Sequence, residues 1–448
     1  MALAAAMAAS PALADPQPAP TPAPTPPPAS MPIDDAKALA PFFQALEQVK
    51  SGARTRPVHV IQIGDSHTAA DHITGQLRAQ LQSRFGEGGR GALPPGRPFA
   101  AYNPRQITVE QSDGWKLEAS FLPASWAKST DPGAPVQAKG PFGLSGWRLV
   151  SAKPGAAVTV KADPEARFDR ATLCALSAPD AGTLSVTVGE ETQRVALAGP
   201  TNQPLCRQFS FTGLKDRLEL KAEGGPVTLL SFATFRPGGV AVSNMGVIGT
   251  RIQDFAARDD AILSAEFKAY APDLLILAFG TNDGFEGEVD GKAYQKVVKG
   301  QIERLRHLAP GVPVLMLGPP DANKVRPDIP EDGKANFGFS CAQLSPSEVA
   351  DYARLVADKN PALARWYPPP ALAIVRDAQR QAAEEEGAAF WDWSARMGGP
   401  CSAHVLSRAD PRLVRGDHVH FTSDGGRLVA DLLSGDLMQA YAAIVGQR

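Results

Sequence analysis

Between residues 97 and 240 the sequence loses helical periodicity, and that interruption constrains the fold more than any other feature. On both sides of it, short and mainly apolar runs alternate with longer amphipathic stretches. The runs are Val58–Ile63, Leu274–Phe279, Val312–Leu317 and Ala388–Trp391, each bounded by Gly, Pro or Asp. Between them lie the amphipathic stretches Ala69–Phe85, Arg251–Tyr270, Tyr294–Leu308 and Pro370–Glu386. Strands that are apolar throughout bury both faces, and strands alternating with helices build a parallel sheet covered on both sides. Within the interruption, Lys116–Leu122, Ala157–Val160, Thr183–Val188, Arg194–Leu197, Gln208–Phe211, Arg217–Lys221 and Val227–Phe232 are short, often alternate, and are separated by turn residues. That pattern predicts antiparallel strands, here a β-sandwich. The chain is therefore expected to be an α/β domain built from residues 33–96 and 241–448, with an all-β module inserted at 97–240.

The 448 residues make two or three domains the natural expectation. With 44% hydrophobic and 21% charged residues, the chain has ordinary globular composition. Its formal charge of −2 lacks the basic excess that phosphate-backbone binding requires, so no nucleic-acid partner is expected. No uninterrupted apolar run reaches the roughly 18–20 residues that span a bilayer, so no membrane span is expected. Oligomeric state is not legible.

The first fourteen residues, MALAAAMAASPALA, end with Ala12 and Ala14 at the small-residue positions of a signal-peptide cleavage site. The usual positive start is absent, since no Lys or Arg precedes Lys37; an Ala-rich tail is the plainer alternative. Residues 15–32 hold nine prolines, a composition that favours an extended spacer rather than a packed core. An export segment followed by a spacer predicts work outside the cytosol, in the bacterial cell envelope or periplasm. The even cysteine count suits that compartment: Cys174, Cys206, Cys341 and Cys401 lack C-x-x-C spacing. The economical pairing is Cys174–Cys206 with Cys341–Cys401, because each pair then falls within one segment. Four buried thiols are the alternative.

Chemistry-bearing residues gather where strands end. The run from Val58 finishes in Gly64-Asp-Ser66 immediately before a helical pattern. A serine at such a turn exposes its hydroxyl while its N–H lies near the positive end of the next helix, which suits a nucleophile that generates an oxyanion. A plain N-cap serine would look the same. Near the other end of the chain, Asp417 stands three residues before His420. A serine needs a base to take its proton, and that base needs a partner to hold its tautomer. Asp417 and His420 can supply both, although Asp-x-x-His also occurs in surface loops; His418 is expected to face elsewhere. Between these ends, Gly280-Thr-Asn-Asp283 closes a second buried strand, where the Asn282 amide suits an oxyanion hole or an Asx turn. Asn244-Met-Gly-Val-Ile-Gly-Thr-Arg251 offers the backbone N–H of Gly249, or else is a simple glycine turn.

The order Gly-Asp-Ser, glycine turn, Gly-x-Asn-Asp, Asp-x-x-His resembles the SGNH (GDSL-type) hydrolase family. That resemblance implies a flavodoxin-like three-layer α/β/α fold. It also implies Ser66 as nucleophile, His420 as base, Asp417 as its orienting partner, and an oxyanion hole of Ser66, Gly249 and Asn282. No cofactor or metal is implied. His67 stands where the common form of the family has Leu. Ser66–Asp71, Arg84–Gly91, Gly318–Ala322 and Ala389–Gly399 further resemble bacterial peptidoglycan O-acetylesterases, whose β-rich, carbohydrate-binding-like module sits between the first two blocks. The implied activity is a serine acetylesterase acting on an O-acetylated glycan partner, specifically the O-6 acetyl of N-acetylmuramic acid. Two rivals use the same residues differently: an O-acetyltransferase whose acyl-enzyme is shielded from water, and a non-catalytic wall-binding protein.

Other signals resolve more plainly. Gly86–Gly91 follows a helical stretch rather than a strand and is expected to be a C-cap and turn. Asp65, His67, Asp71 and His72 lack any metal-ligand spacing. Trp391 and Trp393 fit core packing better than a sugar platform, and Glu384–Glu386 a solvated helix face.

Overall fold

A computed structural model describes residues 30–129, 134–285, 288–326, 328–329 and 340–446. The signal-like residues 1–14, and all of the proline-rich stretch before residue 30, lie outside the described residues. Five strands form a parallel sheet: β1 (Val58–Gly64), β2 (Val240–Gly246), β3 (Leu274–Ala278), β4 (Val314–Leu317) and β5 (Ala389–Trp391). Their spatial order is β2-β1-β3-β4-β5, the flavodoxin-like arrangement. Because successive side chains point to opposite faces, each strand feeds two cores. Val58, Val60, Val242 and Ile276 pack under the helices Ala40–Lys50, His72–Phe85 and Ser423–Val445. Ile61, Ile63, Ala241 and Leu277 pack under Asp260–Tyr270, Gly291–Leu308 and Pro370–Glu385. The result is three layers, α/β/α.

Between β1 and β2 the chain builds two antiparallel sheets. One orders Glu191–Ala196, Thr183–Val188, Arg217–Glu223, Ala157–Ala162 and Ile107–Gln111; the other is centred on Gln203–Lys215, Phe168–Ser177, Val227–Phe235 and Trp147–Ser151. They share one core, with Val158, Val186 and Leu220 from the first sheet against Leu149, Leu173, Leu229 and Phe232 from the second. The second sheet buries its other face as well: Cys174, Leu230 and Ala233 join the core formed with Ile262 and Phe267 of the α/β domain. Buried polar groups complete that seam. Glu266 accepts from the Leu144 N–H at 2.6 Å and from the Ser231 hydroxyl, while burial, outweighing those bonds, pushes its carboxyl up to about 7. The structure pairs Cys174 with Cys206 and Cys341 with Cys401.

Several elements differ from the sequence expectations for local reasons. Strand β2 was not anticipated, because Ser243 and Asn244 interrupt its apolar character. Both are buried and satisfied: Ser243 Oγ meets His59 Nε2 at 2.6 Å, and Asn244 Nδ2 donates to Thr74 Oγ1 at 3.0 Å. The stretch read as one helix, Ala69–Phe85, is a short helix Ser66–Ala69 followed by His72–Phe85, broken where Asp71 adopts φ 53°. Arg251–Tyr270 likewise divides into Ile252–Ala256 and Asp260–Tyr270. Asp259 caps the second piece, and Arg258 turns away to the carbonyls of Gly143 and Leu144. The C-terminal helix Ser423–Val445 is long and apolar enough, by length and composition, to cross a membrane. Here it is a core helix: Leu433 and Leu437 are fully buried, and Asp436 accepts 2.8 Å bonds from Trp391 Nε1 and Arg396 Nε.

Candidate active site

The carboxyl edge of the sheet must let a helix descend onto it, and two glycines allow that. A Cβ on Gly64, the last residue of β1, would lie 2.3 Å from Thr68 Oγ1 and 2.5 Å from the Ala278 carbonyl oxygen; one on Gly246 would lie 2.2 Å from the Ala69 nitrogen. With both bare, the helix Ser66–Ala69 sits directly on the ends of β1, β2 and β3. Asp65 caps it by accepting the His67 N–H at 2.9 Å. Ser66 is thereby held half-buried, with its side chain facing the loop that precedes the C-terminal helix.

That loop brings His420 to it. Ser66 Oγ lies 3.0 Å from His420 Nε2, and His420 Nδ1 lies 2.8 Å from Asp417 Oδ2. The other carboxylate oxygen of Asp417 accepts the backbone N–H groups of Val419 and His420, both at 2.9 Å. Burial would push the Asp417 carboxyl up, but the hydrogen bonds from the His420 ring and from these N–H groups outweigh it and hold it at about 2. Asp417 is therefore ionised across the range in which an imidazole titrates. An ionised carboxylate on Nδ1 selects the tautomer with Nε2 open to accept the serine proton.

The other histidines have separate tasks. His67 is buried; its Nε2 donates to the Val419 carbonyl at 3.0 Å, its Nδ1 lies 3.3 Å from Asp65 Oδ1, and its ring stacks on that of His420 at 5.6 Å. Burial disfavours its charged form, yet the Asp65 carboxylate outweighs this and raises its pKa. It thus ties the serine turn to the histidine loop. His418 faces away: its ring stacks on Trp366 at 3.6 Å, and its Nε2 meets Ser407 Oγ at 2.9 Å. Asp71 sits between Arg78 and Arg90, at 3.0 and 3.1 Å. Trp391 and Trp393 are buried, with Trp393 stacked on Phe421.

Gly249 and Asn282 follow the carboxyl ends of β2 and β3, the two strands that flank β1. Gly249 has φ 79° in the turn after β2, a left-handed conformation that favours glycine. Among the described residues its N–H has no intramolecular acceptor, and neither has that of Ser66. Asn282 follows Gly280 (φ 123°) after β3 and donates Nδ2 to the Thr250 carbonyl at 2.9 Å, with Asp65 Oδ2 farther away at 3.4 Å. The first bond fixes the amide plane, and the second hydrogen makes only the longer, weaker contact. Next to it Asp283 is buried; desolvation, with the Asp65 carboxylate adding to it, pushes its carboxyl up to about 7. The arrangement offers a nucleophile, a base with a fixed tautomer, and donors for a developing oxyanion.

A family model described as GDSL-like Lipase/Acylhydrolase matches residues 227–428, a stretch that contains Gly249, Asn282, Asp417 and His420. Over that stretch the chain is similar to the GDSL-like acylhydrolases. It is a carboxylic ester hydrolase, and Ser66 precedes the matched stretch because most of the antiparallel strands lie between the two. The chain is also similar in fold to a solved structure described as "Peptidoglycan O-acetylesterase in action, 5 min", with TM-score 0.69 and 23% identity over 92% of this chain and 99% of that one. A family two carbohydrate esterase from Cellvibrio japonicus covers 75% of this chain and 98% of its own at 12% identity, but its TM-score of 0.26 is too low to carry an argument. A comparison with curated proteins finds no match.

Sequence patterns missed part of the candidate site. A pocket of about 500 Å³ opens beside Ser66 and His420, lined further by His72, Phe99, Trp126, Ile248 and Arg415. Phe99 and Trp126 come from the stretch read as a separate module, where no local signal marks them. Arg415 lies in the Asp417–His420 block itself, and its charge beside these two residues was the signal available. The tethering role of His67 also went unread.

Proposed function

We propose that this esterase removes O-acetyl groups from a cell-wall polysaccharide, and that its substrate is the O-6 acetyl ester of N-acetylmuramic acid in peptidoglycan. The observation that carries this is the continuous row Asp417–His420–Ser66 opening into the 500 Å³ pocket. The substrate class is supported by the residue blocks shared with peptidoglycan O-acetylesterases and by likeness of fold over 92% of the chain to a structure described as one. Ser66 Oγ attacks the acetyl carbonyl carbon as His420 Nε2 takes its proton, and the carbonyl π pair moves onto oxygen. The N–H groups of Ser66 and Gly249 and the Asn282 amide stabilise that oxyanion. On collapse the sugar oxygen leaves with the proton from His420. Water, deprotonated by His420, then cleaves the acetyl-Ser66 ester to acetate.

The signal-like segment, the proline-rich spacer and the two disulfides support export to the periplasm, where the substrate lies and disulfides persist. Mass spectrometry of O-acetylated peptidoglycan fragments, with acetylated xylan in parallel, tests the substrate: acetyl loss from the muramic residues is expected, and preference for xylan would overturn it. Supplying an acceptor glycan separates hydrolysis from transfer, and free acetate rather than acetylated acceptor is the expected product. Asn282→Ala is expected to lower kcat by about 10²–10³ with little change in KM, because its hydrogen bond forms with the oxyanion and not with the bound ester. Steady-state kinetics on a chromogenic acetyl ester checks this.

A further inference from the structure

We propose that the pocket selects an acetylated sugar carrying a carboxylate near the ester, with Arg415 pairing the carboxylate and Phe99 with Trp126 forming the platform for the sugar ring. This rests on the assignment of Ser66 and His420 above.

Arg415 is exposed on the lining of the pocket, and among the described residues its guanidinium has neither an ion pair nor a side-chain hydrogen bond. The nearby acids are already engaged. Asp417 is held by His420 and two backbone N–H groups, Asp71 by Arg78 and Arg90, and Asp424 by Arg427. The positive character is felt inside the pocket. His72, on its wall, has its pKa lowered by burial first and then by Arg415, with Arg105 and Arg427 adding to the effect. A local cationic mouth on a chain with formal charge −2 is a feature of placement and not of composition. A guanidinium presents paired donors that match a carboxylate, which a neutral acetylated glycan does not offer.

Another part of the lining is apolar. Phe99 and Trp126 are half-buried with ring centroids 6.1 Å apart, and Tyr102 braces Phe99 edge-on at 5.4 Å. Aromatic faces of this kind pack against the C–H face of a sugar. The stretch that builds the antiparallel sheets therefore contributes directly to the pocket, supplying an aromatic platform to the lining that also carries the cation. A muramic residue whose lactyl carboxylate is free, not joined in an amide to a stem peptide, offers a partner to both the cation and the aromatic platform.

The test uses the full chain and two O-acetylated muramoyl probes, one with a free lactyl carboxylate and one with that group as its methylamide. The ratio of kcat/KM for the acid over the amide is expected to fall about tenfold in Arg415→Gln, through KM, and to be largely retained in Arg415→Lys. Raising the ionic strength is expected to lower the same ratio in the native enzyme. Trp126→Ala is expected to raise KM for both probes alike, leaving the ratio intact. An unchanged ratio in Arg415→Gln would overturn the proposal even if both probes are hydrolysed. If neither probe is hydrolysed while a chromogenic acetyl ester is, the muramic substrate falls instead.

Discussion

Ser66→Ala is expected to lower kcat for acetyl-ester hydrolysis by about 10⁵–10⁶-fold, leaving only what the oxyanion donors and binding supply. Among the described residues the hydroxyl makes one side-chain hydrogen bond, the 3.0 Å approach to His420, and the turn that carries it is held by the Asp65 cap and the close-packed Gly64 and Gly246. Its loss therefore removes chemistry without removing structure, and the variant is expected to melt close to the native temperature. Two measurements check this: acetate release, and the mass of the acetyl adduct trapped by quenching during turnover. Native enzyme is expected to show the adduct and the variant none. A variant that turns over at the native rate would leave the Asp417–His420–Ser66 row without a catalytic role.

Asp417→Asn is expected to cost about 10⁴-fold in kcat, although it removes no atom that touches the ester. The amide oxygen of Asn can still accept the N–H groups of Val419 and His420, which Asp417 Oδ1 accepts at 2.9 Å, so the loop retains its shape. What changes is the group facing His420 Nδ1. An amide NH2 there donates where the carboxylate accepted, favouring the tautomer in which Nε2 carries the hydrogen and cannot take the Ser66 proton. The pH dependence gives an independent readout. Asp417 is held at about 2 in the folded chain, so it is ionised wherever activity is measurable. Replacing it removes a negative charge that stabilises the imidazolium, and the acidic limb of the residual pH–rate profile is expected to move to lower pH. A limb that stays in place, with kcat near native, would show that the carboxylate does not hold the base.

The α/β class was legible because β1, β3 and β4 are short and apolar on both faces, with helical periodicity between them. Periodicity is a local property, and burial on two faces leaves a mark in a few consecutive residues. Strand β2 escaped because Ser243 and Asn244 look polar in sequence; only His59 and Thr74, far along the chain, make their burial acceptable. The helix boundaries at Asp71 and Arg258 escaped for a related reason. Asp71 answers to Arg78 and Arg90, and Arg258 to the carbonyls of Gly143 and Leu144, partners no window of sequence can weigh.

The sequence by itself determined the chemistry available: a serine after a tight strand end, an acid and a histidine three apart, an amide and a bare glycine at neighbouring turns. It did so because each motif is encoded within a few adjacent residues. Tertiary structure alone decided that Ser66 and His420 approach within 3.0 Å, that His67 ties their two loops together, and that Phe99, Trp126 and Arg415 surround them. The physical reason is the order of the parallel strands. Setting β1 between β2 and β3 brings the ends of distant segments to one edge, and docking the second antiparallel sheet on the α/β core carries its loops to the same place.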